Sequence, residues 1–108
     1  MLPFEQLEQL QSWLERRLGS FLLIHERLCS NGEHFDRHFT SHTTMQLQLE
    51  QISVRTSGAR VMLLGANGTQ YELAADNFYQ IQLQENRCMI YERLGSWVRC
   101  TEIQRIYR

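Results

Sequence analysis

All four histidines of this chain fall between positions 25 and 42. The stretch Glu33-His34-Phe35-Asp36-Arg37-His38-Phe39-Thr40-Ser41-His42 is its densest concentration of groups able to ligate a metal or move a proton. On a strand, His34, Asp36, His38 and His42 share one face and Phe35 and Phe39 take the other. On a helix, the 34/38/42 spacing also stacks on one face. A metal centre needs its ligands within about 2.0–2.2 Å of one ion, which i,i+4 histidines achieve on a helix but not on a flat strand, where they lie about 13 Å apart. On a strand only the neighbours His34/Asp36 or Asp36/His38 can cooperate, and a third ligand must come from elsewhere. Neither His-x-His nor His-Glu-x-x-His occurs. A wet face with two Phe anchors is therefore favoured over a metal centre ligated by His34, Asp36, His38 and His42, and no cofactor is expected.

A second constellation lies near the C-terminus, where Arg87, Arg93, Arg99, Arg105 and Arg108 interleave with Tyr91, Trp97 and Tyr107. Such a face can stack bases and grip phosphates, which makes Tyr91, Arg93, Trp97 and Arg99 candidate binding residues. Glu85, Glu92 and Glu102 lie among them, and that mixture equally describes a cross-strand, salt-bridged outer face. The balance of charge decides between the two: with a net charge of -1 the chain has no global attraction to polyanions, so nucleic acid ranks second.

Composition excludes some chemistry outright. All 11 basic residues are Arg and Lys is absent, which removes Schiff-base chemistry, a phosphate-loop lysine and a lysine general base. No GxSxG elbow is present, and Cys29 with His25 or His34 is the only local thiol–imidazole pairing. A non-catalytic protein is expected. The three cysteines are odd in number and form no CxxC pair, which argues for reduced, buried thiols in a cytoplasmic protein. Acidic and basic residues interrupt the early apolar stretch, and no run approaches the roughly 20 apolar residues of a membrane span.

The elements that must position these groups can be read from periodicity. With 108 residues, 43% hydrophobic and 21% charged, one globular domain over 1–108 is expected. Residues 3–18 carry Phe4, Leu7, Leu10, Leu14 and Leu18 at helical spacing, with Trp13 widening the stripe, Pro3 at the first turn and Gly19 as a left-handed stop. The His-rich segment 20–43 reads as strand and loop, with residues 20–28 the strand. Residues 44–107 form an antiparallel meander. Met45, Leu47 and Leu49 hold one parity and Ile52 and Val54 the other, which predicts a bulge near Glu50 and Gln51. Asn67-Gly68 between two alternating runs predicts a type I′ hairpin. Asp76-Asn77, Glu85-Asn86 and Leu94-Gly95 mark the later turns, and Ile103 and Ile106 suit a last strand or a short helical turn. The expected fold class is α+β: an N-terminal amphipathic helix on a strongly bent antiparallel sheet, or partly open barrel, of about five to six strands.

Gly68…Leu73…Asp76…Gln80-Ile81…Leu83, followed by Val98-Arg99-Cys100…Ile103…Ile106, resembles in outline the two signature segments of Sm-like RNA-binding proteins. Glu72 stands where that family carries a glycine, and Cys100 where it has glycine after its arginine. The resemblance implies a ring oligomer with RNA at the strand–loop edge and Asp76, Gln80 and Arg99 nearest to it. The favoured function is nonetheless a protein-interaction or regulatory module that self-associates or docks on a larger partner, because a small sheet leaves open edges. The uncharged run Gln46, Gln48, Gln51, Gln70, Gln80, Gln82, Gln84 also repels partners less than a charged face does. That reading puts Trp97 in the core, where its loss costs about 3–5 kcal/mol.

Overall fold

Alternating strands fill most of the molecule. The structure, a computed structural model, describes residues 4–29, 41–55 and 60–106. Helix α1 (Phe4–Glu15) precedes β1 (Phe21–Cys29), β2 (Ser41–Arg55), β3 (Arg60–Gly65), β4 (Gln70–Ala74), β5 (Phe78–Leu83), β6 (Arg87–Leu94) and β7 (Trp97–Arg105). The strands form one antiparallel sheet in the order β4-β3-β2-β1-β7-β6-β5. The α+β class therefore stands, with seven strands in place of five to six. Phe21–Cys29 is a full central strand between β2 and β7, with Leu22 and Ile24 buried on the inward parity and Phe21 and Leu23 half-buried on the other. Ser41–Thr43 belong to β2, so the His-rich segment ends three residues earlier than the sequence suggests.

The two edges of this sheet are β4 and β5, which are consecutive in the chain. In a flat seven-stranded sheet they would stand about 29 Å apart. The four peptide links from Ala74 to Phe78, through the 3-10 turn Ala75–Asn77, reach at most about 14 Å. The sheet must therefore curl into an up-and-down ring whose single seam, between β4 and β5, carries no ladder. The bend in β2 helps: its register shifts between Leu49 and Gln51, so Glu50 bulges and the inward face passes from Leu47 and Leu49 to Ile52 and Val54. The β3–β4 turn also follows its chemistry, with Asn67 at φ 64° and Gly68 at φ 77°, the two positive angles of a type I′ turn.

One end of the ring is stoppered by α1. Leu10, Trp13 and Leu14 are buried there with Leu22, Ile24, Leu49, Leu63, Phe78, Cys88, Ile90 and Ile103. The helix is shorter than residues 3–18 because its last turn tightens: Arg17 and Leu18 donate to the Leu14 and Glu15 carbonyls, and Gly19 leaves the helix at φ 86°. The Trp13 indole donates to the Gln84 carbonyl at 2.6 Å. Arg17 stacks 3.5 Å from the Trp13 ring centroid and donates to the carbonyls of Trp13 and Glu85, pinning the helix to the β5–β6 turn. Among the described residues no helix is long and apolar enough to cross a membrane.

Candidate functional site

At the other end, the inward-facing positions stop being apolar. In β1, Leu22 and Ile24 give way to Glu26; in β6, Cys88 and Ile90 give way to Glu92; in β7, running the other way, Ile103 gives way to Thr101 and Arg99. The register sets Glu26 opposite Thr101, and Glu92 opposite Arg99. Tyr71 reaches this group from edge strand β4 and meets Glu26 and Thr101 across the ring. Its phenol donates to Glu26 Oε2 at 2.8 Å and accepts from the Thr101 hydroxyl at 2.7 Å.

Arg99 organises the cluster. Its Nε and Nη2 both donate to the Glu92 carboxylate at 2.7 Å, the two-pronged geometry that gives the strongest guanidinium–carboxylate pairing. Its Nη1 lies 3.4 Å from Glu26 Oε2, and its Nη2 also donates to the Glu72 carbonyl at 3.0 Å. Glu92, fully buried, completes its shell by accepting the Ala74 amide at 2.9 Å. Two side chains from β6 and β7 thus satisfy backbone groups of edge strand β4 and stitch the ring where no ladder closes it. Burial lowers the affinity of Arg99 for its proton, but the hydrogen bonds and charge of Glu92 more than offset this and raise its pKa. Burial likewise pushes the Tyr71 pKa up, so the phenol stays protonated as a donor.

The structure divides the sequence-derived candidates between two faces. Arg99 and Trp97 share the concave parity of β7, Arg99 within the ionic cluster and Trp97 beyond it at the rim. Trp97 is 44% exposed, which overturns its expected place in the core: it is the first residue of β7, directly after the turn that follows β6, at the end of the ring opposite α1. Half-buried Leu94 lies directly opposite it. Tyr91 and Arg93 are on the convex face, where the Tyr79 and Tyr91 rings lie 5.9 Å apart and the Arg93 guanidinium sits 4.6 Å from the Tyr79 centroid. Burial raises the pKa of both tyrosines. Gln80, opposite Tyr91 on β5, and Asp76, in the turn after β4, are both exposed. A single Arg and aromatic face uniting Tyr91, Arg93, Trp97 and Arg99 does not form.

Of the histidine candidates, His42 lies on the convex face of β2, and His34, Asp36 and His38 lie outside the described residues. His42 meets His25 of β1, with His25 Nε2 and His42 Nδ1 3.3 Å apart. Among the described residues no group of three or more His, Cys, Asp or Glu side chains is spaced to hold a metal ion. The three cysteines are buried and form no disulfide. Burial pushes the Cys88 thiol up to about 12 and also raises Cys100, against the lowering effect of Arg27. A groove of about 910 Å³ lies at the stoppered end between α1 and the β5–β6 turn, lined by side chains of both charge signs including Glu8, Arg16, Glu85 and Arg105.

Glu26, Tyr71, Glu92 and Thr101 are absent from the sequence-derived candidates. A signal for them exists: each is a polar side chain on the inward parity of a strand with an apolar neighbour two positions away on that parity, Ile24 for Glu26, Leu73 for Tyr71, Ile90 for Glu92 and Ile103 for Thr101. Comparison of the chain with protein-family models, with curated proteins and with solved structures finds no match.

Proposed function

We propose that this chain is a small non-catalytic binding module, a protein-interaction or regulatory domain whose contact surface is the open mouth of a partly closed barrel. The observation that carries the reading is Trp97: a large aromatic ring 44% exposed, beside Leu94, at the rim of a ring whose polar groups already bond one another. Exposed tryptophan is costly in water and is enriched at the centres of protein interfaces. The floor beneath it supports binding over catalysis, because Tyr71, Glu26, Glu92 and Arg99 are taken up in hydrogen bonds to one another and to the β4 backbone. A cytoplasmic setting is part of the proposal and rests on three buried thiols without a disulfide.

The test is photocross-linking in the producing cells, with a photoreactive amino acid replacing Trp97 and, as control, exposed Gln70. A discrete protein adduct, to a second copy or to a larger chain, is expected from position 97 and not from position 70. Equal labelling at both positions, or none at 97, defeats the reading.

A second reading has its own observation, the convex stack of Tyr79, Tyr91 and Arg93, which suits base stacking. Its signature is binding of single-stranded RNA near 50 mM salt that weakens as salt rises and is lost in Arg93→Ala.

A further inference from the structure

The convex faces of β1 and β2 bring two imidazoles together. His25 and His42 occupy diagonal positions of the β1–β2 ladder, where His25 pairs with Thr44 and Arg27 with His42. Their ring centroids are 5.5 Å apart with planes inclined at 33°, and His25 Nε2 lies 3.3 Å from His42 Nδ1. Two neutral imidazoles achieve this spacing by sharing one proton, one nitrogen donating and the other accepting. The same spacing suits a shared cation: an ion about 2.05 Å from each of two nitrogens 3.3 Å apart subtends about 107° at the metal, close to the tetrahedral angle.

We propose that His25 and His42 form a two-imidazole site for a borderline divalent transition cation, zinc or copper(II), on the convex face of the β1–β2 ladder. On binding, the imidazole that donated the shared proton changes tautomer, its N–H proton passing through water to its other ring nitrogen, and the rings turn about their soft terminal torsions so that both lone pairs converge on the cation. His42 is exposed and His25 half-exposed, so the remaining coordination positions are open to water. The surroundings are mixed: Arg27 stands opposite His42 and opposes a cation, whereas Glu102 stands opposite His25 across the β1–β7 ladder and favours it, its carboxylate 3.3 Å from Arg87. Imidazole pairs select cations of the zinc and copper class over magnesium or calcium, which prefer oxygen. Bridging two strands, the ion also ties β1 to β2 and stabilises the folded state.

The site is tested by titrating the whole chain with Cu²⁺ and following nitrogen coupling by electron paramagnetic resonance, together with melting curves in the presence of Zn²⁺. Two coupled nitrogens are expected in the wild type, one in His25→Gln and in His42→Gln. A melting temperature raised by about 4 °C or more in saturating Zn²⁺ is expected in the wild type and in His34→Ala/His38→Ala, and not in either Gln variant. Mg²⁺ leaves all four proteins unchanged. Copper coupling and zinc stabilisation that persist in His42→Gln, or that vanish in His34→Ala/His38→Ala, overturn the assignment.

Discussion

The two ends of the curled sheet are closed by opposite chemistry. At the helix end, Leu10, Trp13 and Leu14 fill the ring with hydrocarbon, and the few polar atoms present hold the stopper in place. At the mouth, the ring is drawn together by Arg99, Glu92, Glu26, Tyr71 and Thr101, charges and hydroxyls in contact across a seam that has no ladder. Apolar burial is non-directional. A buried ion pair is directional: removing one partner strands the other, while removing both can be nearly neutral. The helix end therefore supplies stability and the mouth supplies definition of shape, at the end where Trp97 is displayed.

The largest expected effects break one end at a time. Trp13→Ala removes a buried ring and leaves the Gln84 carbonyl without its donor, and it should cost about 3–5 kcal/mol. Arg99→Met leaves Glu92 charged and buried without its guanidinium, also about 3–5 kcal/mol. The comparison is sharpened by Arg99→Met/Glu92→Met, which should recover part of the Arg99→Met loss in urea unfolding. A double variant less stable than Arg99→Met alone contradicts a directional clasp. For the same reason, loss of RNA binding in an Arg99→Ala protein would report unfolding as readily as a lost phosphate contact.

The two ends also differ in how legible they are in the sequence. The amphipathic helix, strand alternation, the bulge near Glu50 and Gln51 and the Asn67-Gly68 turn are all local patterns; the helix stops at Glu15, short of the expected 18, and the bulge and the turn appear where the pattern places them. The clasp is not local. Glu26, Tyr71, Glu92 and Arg99 come from four strands, and only the curl brings Tyr71 of β4 within 2.7 Å of Thr101 of β7. Reading Tyr91, Arg93, Trp97 and Arg99 as one face failed for a related reason: the period of two splits odd positions of β6 from odd positions of β7, because the register sets Tyr91 opposite Cys100 and Glu92 opposite Arg99. The His25–His42 contact is likewise set by register, and listing the dense 33–42 stretch alone misses His25.

Smaller effects probe the seam strand and the core. Gly68→Val forces a β-branched residue to φ 77° at a site with open space around it, so backbone strain alone should cost about 1–3 kcal/mol. An unchanged melting temperature would argue against the turn. Alkaline pH addresses the buried thiol of Cys88. The folded protein holds that proton up to about 12, against 9.0 when exposed, so its contribution is complete below pH 9 and is lost as pH climbs from 9 toward 12. By pH 10 the loss should be on the order of 1 kcal/mol. Cys88→Ala should show a shallower decline of stability between pH 8 and 10 than the wild type, and thiol labelling of Cys88 in the folded protein should be slow. Parallel slopes would remove Cys88 from the account.

The smallest expected effect separates display from packing at the mouth. If Trp97 is exposed surface held at the rim by the clasp, Trp97→Ser should shift unfolding free energy by no more than about 0.5 kcal/mol, as surface substitutions do. If it is core, as alternation alone predicts, the same change should cost about 3–5 kcal/mol. Urea unfolding of the two proteins distinguishes outcomes that far apart. A near-silent stability change coupled to loss of the position-97 adduct assigns the ring to partner contact. A large loss of stability means that the mouth folds over Trp97, and the difference between the two ends of the ring then narrows to one of degree.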